Sequence, residues 1–389
     1  MNPTEWCRSE LLRREDVFST YFAAEIPRLA AACRQMSDRF LAGGRLLAFG
    51  DGPAGTDAQH VSVEFVHPVI VGKRALPALD LSLDYEARVP VIARSADMVL
   101  GFSFADQAPA TERTLQAARS RGALTFSLAG GVGDYPFSMP DPDPFVSQEV
   151  FELLYHMLWE TVHVFFEHRE QGHKVGASAF LYPFLGSSAQ RIDQVEAEVQ
   201  DSMRQKVAEV NRMRAAVAES EGDGMVALTA AIRERLARGG TLITFGNGGS
   251  ATDANDLAID CAAPPPGWTP IPAISLAAEP ANLTAIANDI GADAIFSRQL
   301  IAHAQPEDVA VAITTSGNST NIVHGLVEAR RRGLLTVGIV GYDGGKLARD
   351  RLVDHVLVVR SDYIPRIQEV QASIYHVLRS LIQGAQGEG

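Results

Sequence analysis

The sequence predicts an α/β protein in two consecutive domains, each a parallel sheet with helices on both faces. Three observations carry that expectation. Segments recur in order: "GGRLLAFGDGPAGTDAQ" from Gly43 returns as "GGTLITFGNGGSATDAN" from Gly239, and "LQAARSRGALTFSLAGG" from Leu115 returns as "LVEARRRGLLTVGIVGY" from Leu326. "QEVFELLYH" from Gln148 likewise returns as "QEVQASIYH" from Gln368, and the spacing between partners widens along the chain, so the first copy has the shorter loops. Short apolar runs of strand length alternate with helical patterns, which implies parallel strands joined by crossover helices. Finally, 389 residues at 46% hydrophobic and 21% charged suffice for about two ordinary domain cores.

The elements follow in the same order in both copies. Each opens with a charged amphipathic helical region, residues 8–42 and 189–237; "IDQVEAEVQDSMRQKVAEVNRMRAAV" in the second has apolar residues at helical spacing. Copy two then offers strands at Thr241–Phe245, Val309–Thr314, Leu334–Val340 and His355–Val359, each followed by a Gly/Ser/Asn turn and a helical pattern. Arg330, Arg331 and Arg332, the densest basic run, read as the last turn of a helix. Closing helices fall at about Gln148–Glu167 and Arg366–Leu381. The stretch at 171–188 reads as the connector, with a boundary near residue 187, giving domains 1–187 and 188–389.

Composition removes several function classes. The net charge of −13 repels phosphate backbones, and without a basic stripe no nucleic-acid partner is expected. Three scattered cysteines (Cys7, Cys33, Cys261) are too few for a disulfide framework or a cysteine zinc site. Charged residues Glu5, Arg8, Glu10, Arg13 and Arg14 interrupt any apolar leader, and no run approaches the ~18 apolar residues of a membrane helix. The expectation is a soluble, reduced, cytoplasmic protein.

Two turns in copy two carry the binding signal. Gly246-Asn247-Gly248-Gly249-Ser250 lies between a strand and a helix, where converging N–H groups and the helix dipole favour an anion. Thr314-Thr315-Ser316-Gly317-Asn318-Ser319 is a second strand-to-helix turn, rich in hydroxyls and lacking positive charge. Neither is a Walker A loop, since no Gly-Lys-Ser/Thr follows. Copy one carries Gly50-Asp51-Gly52-Pro53-Ala54-Gly55, a literal GxGxxG, but Pro53 lacks one of the amides that would hold a pyrophosphate.

A second constellation points to metal and proton transfer. His60 and Glu64, one helical turn apart, place an imidazole and a carboxylate on one face. Copy one adds Gln148 and His156; copy two keeps Gln368 and His376 but has Asp256 and Asp260 in place of the first pair. Copy one in turn reads Ser103-Phe104-Ala105-Asp106-Gln107-Ala108 where copy two has its hydroxyl turn, so the losses are complementary.

Gly246–Ser250, Asn288-Asp289, Thr314–Ser319 and the stretch from Arg366 to His376 resemble the sugar-isomerase (SIS) domain of bacterial phosphoheptose isomerases, over about residues 200–385. The resemblance implies a flavodoxin-like fold, a sugar-phosphate ligand, a four-domain assembly with sites between domains, and a bound zinc. It implies that His60, Glu64, a Gln and a His hold the metal, with the glutamate and second histidine as acid/base pair. Two positions depart from the family: Pro365 and Phe145 stand for an aspartate, and Pro68 and Pro264 for an arginine.

Helix geometry bears on how these parts combine. Gln and His eight positions apart are about 12 Å apart along the axis, and Ser250 and Asp260 about 15 Å apart. The expectation is therefore one composite site per chain. Copy two supplies the phosphate cradle (Gly248, Gly249, Ser250, Thr314, Thr315, Ser316, Ser319) and Gln368, and the resemblance implies Asn247, Asn288 and Asp289 on sugar hydroxyls. Copy one supplies His60, Glu64 and His156; Gln148 and His376 are the alternates, His376 also as an acid/base residue. The reciprocal site with Asp106, Asp256 and Asp260 is expected to be dead or regulatory. The function expected is metal-assisted ketose–aldose isomerisation of sedoheptulose 7-phosphate to D-glycero-D-manno-heptose 7-phosphate by a homodimer with four domains. Its alternatives are another phosphosugar isomerase, or a non-catalytic SIS regulator or interaction protein like the DnaA initiator-associating proteins.

Overall fold

In the computed structural model of the chain, the described residues are 1–70, 73–104, 108–128, 130–171 and 192–384. The expected boundary near residue 187, nearly all of the connector, and Asp106 lie outside them. The chain divides into two compact units: Glu15–Glu209, and Met1–Arg14 together with Val210–Gly389.

The Glu15–Glu209 unit holds most of α1 (Pro3–Leu41), then β1 (Leu46–Phe49), α2 (Pro53–Val66), β2 (Ala78–Asp80), α3 (Tyr85–Ile92) and β3 (Met98–Phe102). It continues with α4 (Ala108–Ser120), β4 (Leu124–Leu128), β5 (Tyr135–Phe137), α5 (Pro144–Gln171) and the first turns of α6 (Ile192–Ala237). Its strands are all parallel in the order β2-β1-β3-β4-β5. The three-residue β5, at the sheet edge, contains Pro136, which an edge tolerates because one side of the strand needs no donor.

The other unit holds the rest of α6, then β6 (Leu242–Phe245), α7 (Gly249–Ala262), β7 (Ala273–Ser275), α8 (Pro280–Asp289), a 3-10 turn (Ala292–Ala294) and α9 (Ile295–His303). It ends with β8 (Val309–Thr314), α10 (Thr320–Arg331), β9 (Leu335–Gly341), α11 (Gly345–Arg349), β10 (His355–Val359) and α12 (Ile364–Gln383). The sheet reads β7-β6-β8-β9-β10, again parallel, so both units share the flavodoxin-like order. Every residue of β3, β8 and β9 is buried, the pattern of strands covered on both faces. Their cores centre on Leu47, Phe49, Val89, Val99 and Leu115, and on Phe245, Phe296, Leu300, Ile322 and Leu326.

Contacts explain why the units divide inside two helices. Cys7 Sγ lies 3.7 Å from Met225 Sδ, and Arg8 Nε donates to the Ala218 carbonyl, which ties the start of α1 to α6. The first turns of α6 join the other unit through a buried Lys206–Glu160 ion pair and Arg34–Glu196 at 3.4 Å. Among the described residues, no helix is long and apolar enough to cross a membrane.

The same buried braces recur in both sheets. Asp97 accepts from the backbone N–H groups of Arg45 and Arg94, both at 3.0 Å, and from the Arg45 guanidinium at 2.7 Å. Asp308 accepts from the N–H groups of Thr241 and Gln305. Thr125 with Asp134, and Thr336 with Asp354, form matching reciprocal pairs. Burial alone would raise the Asp97 carboxyl; the hydrogen bonds from Arg45 and from the two backbone amides outweigh it and hold Asp97 below the usual carboxylate range. Its stabilisation is therefore present above the unfolded-state value and lost as pH falls through the depressed one. Asp97→Ala should cost about 2–4 kcal/mol in denaturant unfolding, since it strands a half-buried guanidinium and two amides. The loss should shrink as wild type and variant are compared at progressively lower pH.

Candidate functional site

A sheet with this strand order has its switch point between its second and third strands, where two strand-to-helix turns diverge and leave a crevice. In the Val210–Gly389 unit those turns are the two that the sequence singles out. The first bends at Gly248, whose φ of +59° an L side chain rarely adopts, and delivers Gly249 and Ser250 into α7. The second bends at Gly317, where a Cβ would meet the Gly344 carbonyl oxygen at 2.4 Å. Asn247 and Asn321 exchange two side-chain hydrogen bonds of 2.9 Å and clamp the turns together. Buried Gln371 on α12 donates to the carbonyls of Thr314 (3.3 Å) and Ile339 (3.0 Å), which anchors the second turn from below.

Ser319 is the N-cap residue of α10, yet its side chain makes no capping bond to that helix. The Ser316 hydroxyl accepts from Asn318 N–H, and the Asn318 amide oxygen accepts from Lys346 N–H. A cleft of about 740 Å³ opens beside this turn, lined by Ser316, Asn318, Tyr342, Asp343, Arg360, Ser361 and Asp362. Arg360 thus lines the same cleft as Ser316 and Asn318, together with the carboxylates of Asp343 and Asp362. Asn288 and Asp289 end α8, bonded to each other at 2.7 Å and exposed; among the described residues no hydrogen bond joins them to the cradle.

Sequence reasoning overlooked Asn321, Gln371 and Arg360. Asn321 and Gln371 sit in ordinary helical patterns. Arg360 is an isolated residue just after β10. Only the folded turn reveals what they touch.

The corresponding turn in the Glu15–Glu209 unit has the same backbone, with Gly52 at φ +56°, but different chemistry. Asp51, where the other copy has Asn247, accepts from the Tyr85 hydroxyl at 2.7 Å, and its negative charge opposes phosphate. Gln148 donates to the Pro53 carbonyl at the start of α2, at 3.3 Å.

Below that turn, α2 and α5 bring three buried groups together. His60 Nε2 lies 3.4 Å from His156 Nε2 and 3.8 Å from Glu64 Oε1, and one ligand atom from each residue falls within 4.8 Å of the others. These side chains are 2%, 1% and 0% exposed for His60, Glu64 and His156. Burial, and then the neighbouring His156, push the His60 imidazole well below its ordinary pKa, so it is neutral near pH 7. A neutral imidazole is a metal donor. Two imidazoles and a carboxylate are also a familiar zinc donor set that leaves a fourth position for water or substrate. The residues fit a divalent metal.

The other unit repeats the geometry with different donors. His376 Nε2 lies 3.4 Å from Asp256 Oδ2 and 3.3 Å from Asp260 Oδ2, all buried. Burial and the adjacent Asp256 charge push the Asp260 carboxyl up to about 7, against the opposing pull of His376 and Arg379. Gln368 is buried on α12, about two turns before His376.

The SIS domain family matches residues 207–341. A phosphoheptose isomerase from Solidesulfovibrio magneticus is 44% identical over 153 residues, 38% of this chain and 71% of that protein. One from Rhodospirillum rubrum is 39% identical over 171 residues, 44% of this chain and 86% of that protein. The solved tagatose-6-phosphate ketose/aldose isomerase from Escherichia coli is 12% identical with a TM-score of 0.56, covering 98% of this chain and 93% of that one, a likeness of fold alone. With relatives this similar over most of their length, the chain belongs to the phosphoheptose isomerase family, SIS-domain enzymes that interconvert aldoses and ketoses.

Proposed function

We propose that the protein converts a ketose phosphate to its aldose, with sedoheptulose 7-phosphate and D-glycero-D-manno-heptose 7-phosphate as the substrate pair. The buried His60–Glu64–His156 group carries this reading, because a protein that only binds a sugar phosphate has no need of it. The turns at Gly246–Ser250 and Thr314–Ser319 grip the phosphate, so binding energy from the remote end positions the reacting end. Glu64 takes the proton from the carbon next to the carbonyl, leaving an enediol, and returns it to the neighbouring carbon. His156 moves the compensating proton between the two oxygens. On this proposal the cradle of the second copy and the triad of the first serve one substrate, as their complementary losses suggest.

The metal, zinc by its donor set, would be held by His60, Glu64 and His156, with Gln368 as the fourth donor expected from sequence and Gln148 and His376 as alternates. When bound, such an ion polarises the carbonyl and stabilises developing negative charge on its oxygen. Among the acid/base residues expected from sequence, His156 shares a unit with Glu64, whereas His376 is held by Asp256 and Asp260. We further propose a homodimer that reproduces a four-domain assembly, a dimer mass being the expected result of light scattering.

The direct test is a ketose–aldose assay with sedoheptulose 7-phosphate on wild type and Glu64→Gln, with and without chelator. Glu64→Gln should lower kcat by at least about 100-fold, and chelator should lower wild-type turnover. Unchanged turnover in the variant removes Glu64 from the mechanism. Tight binding without turnover in wild type would instead indicate a regulatory binder. Asn321→Ala, which unlocks the two turns, should raise KM about 5- to 30-fold with a smaller effect on kcat.

A further inference from the structure

We propose that the cleft between the Thr314–Ser319 turn and the segments that leave β9 and β10 is a second binding site, separate from the phosphate cradle, for a neutral sugar. The inference rests on the geometry of the Val210–Gly389 unit alone and holds whatever the substrate is.

The walls of this cleft are built rather than loose. Gly341 N–H donates to the Thr315 carbonyl (2.9 Å), Leu347 N–H to the Gly317 carbonyl (3.2 Å) and Lys346 N–H to the Asn318 amide oxygen (2.9 Å). These bonds fasten the hydroxyl turn to the turn after β9, so closely that a Cβ on Gly345 would collide with the Ser316 carbonyl oxygen. Tyr342 lines the cleft with φ at +52°, a left-handed backbone that bulky side chains rarely adopt and that persists where the surroundings impose it, often at functional sites. Asp343 Oδ1 accepts from Gly345 N–H (3.0 Å) and Ser361 Oγ from Tyr363 N–H (3.2 Å), so backbone amides orient two more of the lining groups.

The lining chemistry selects the ligand. Asp343 and Asp362 outnumber Arg360, which disfavours an anion such as a second phosphate, while Arg360 disfavours a cation. A guanidinium only donates hydrogen bonds and a carboxylate only accepts them. A hydroxyl does both, so neighbouring hydroxyls of one sugar can accept from Arg360 and donate to an aspartate together. Among the described residues, the side chains of Arg360 and Asp362 make no hydrogen bond or ion pair that would compete. Tyr342 adds an aromatic ring, the surface against which the C–H face of a sugar packs. The volume of about 740 Å³ falls in the range of small-molecule pockets, ~300–1,000 Å³.

The test uses methyl α-D-mannopyranoside and methyl α-D-glucopyranoside, which have neither a phosphate nor a free carbonyl and so cannot be isomerised. Saturation-transfer NMR on the full-length protein should detect at least one of them, with Kd of roughly 1–10 mM. The signal should persist in excess inorganic phosphate. Arg360→Ala/Asp362→Ala, which removes two exposed side chains of opposite charge, should weaken binding at least about ten-fold. Tyr342→Gly relieves the left-handed backbone, so it should fold at least as stably as wild type while binding the glycoside more weakly. Three results overturn the proposal: no transfer to either glycoside on wild type, an unchanged signal in folded Arg360→Ala/Asp362→Ala, or loss of the signal in phosphate. If the double variant does not fold, Tyr342→Gly decides in its place. A failed isomerase assay on protein that binds the glycoside would count against the isomerase function alone.

Discussion

Burial of polar groups that water cannot reach is the constraint on which this structure turns. His60, Glu64 and His156 lie inside a helix pair, and Asp256, Asp260 and His376 lie at the matching place in the other copy. Taking a carboxylate or imidazole out of water is expensive unless something answers its charge. In the first triad burial makes the imidazole neutral, which readies it as a ligand. In the second, two aspartates crowd one histidine. Both groups are donor sets that could hold a metal ion.

Topology decides where these groups can act. The 2-1-3-4-5 strand order separates two strand-to-helix turns at the sheet's carboxyl edge, and the helix that leaves the first turn carries two of the three residues of each buried group. One helix therefore begins at a glycine turn and runs down to a group of buried donor side chains. The two copies differ at both places: the second has Asn247 and its hydroxyl turn, while the first has Asp51 at the matching turn and carries His60 and Glu64.

Much of this was legible in the residues. Strands Val309–Thr314 and His355–Val359 have the bounds read from their apolar runs, and the Arg330–Arg332 run does end a helix. The i, i+4 pair of His60 and Glu64 predicted a shared face, which His156 joins. Three-residue strands such as β7 were beyond reach, since such a run has no periodicity to read. The unit division inside α1 and α6 was also hidden, because it depends on contacts such as Lys206–Glu160 between residues far apart in sequence. The Asn247–Asn321 clamp is invisible for the same reason. The repeat sets Asp256, Asp260 and His376 at the places of His60, Glu64 and His156, and the structure gathers them in the same way.

Zinc-edge X-ray absorption on protein carrying one zinc per chain addresses the central claim most directly. If the first copy's triad is the preferred zinc site, the spectrum will show scattering from two imidazole rings. A single ring would place the zinc with His376 instead, and the division of labour described here would be wrong.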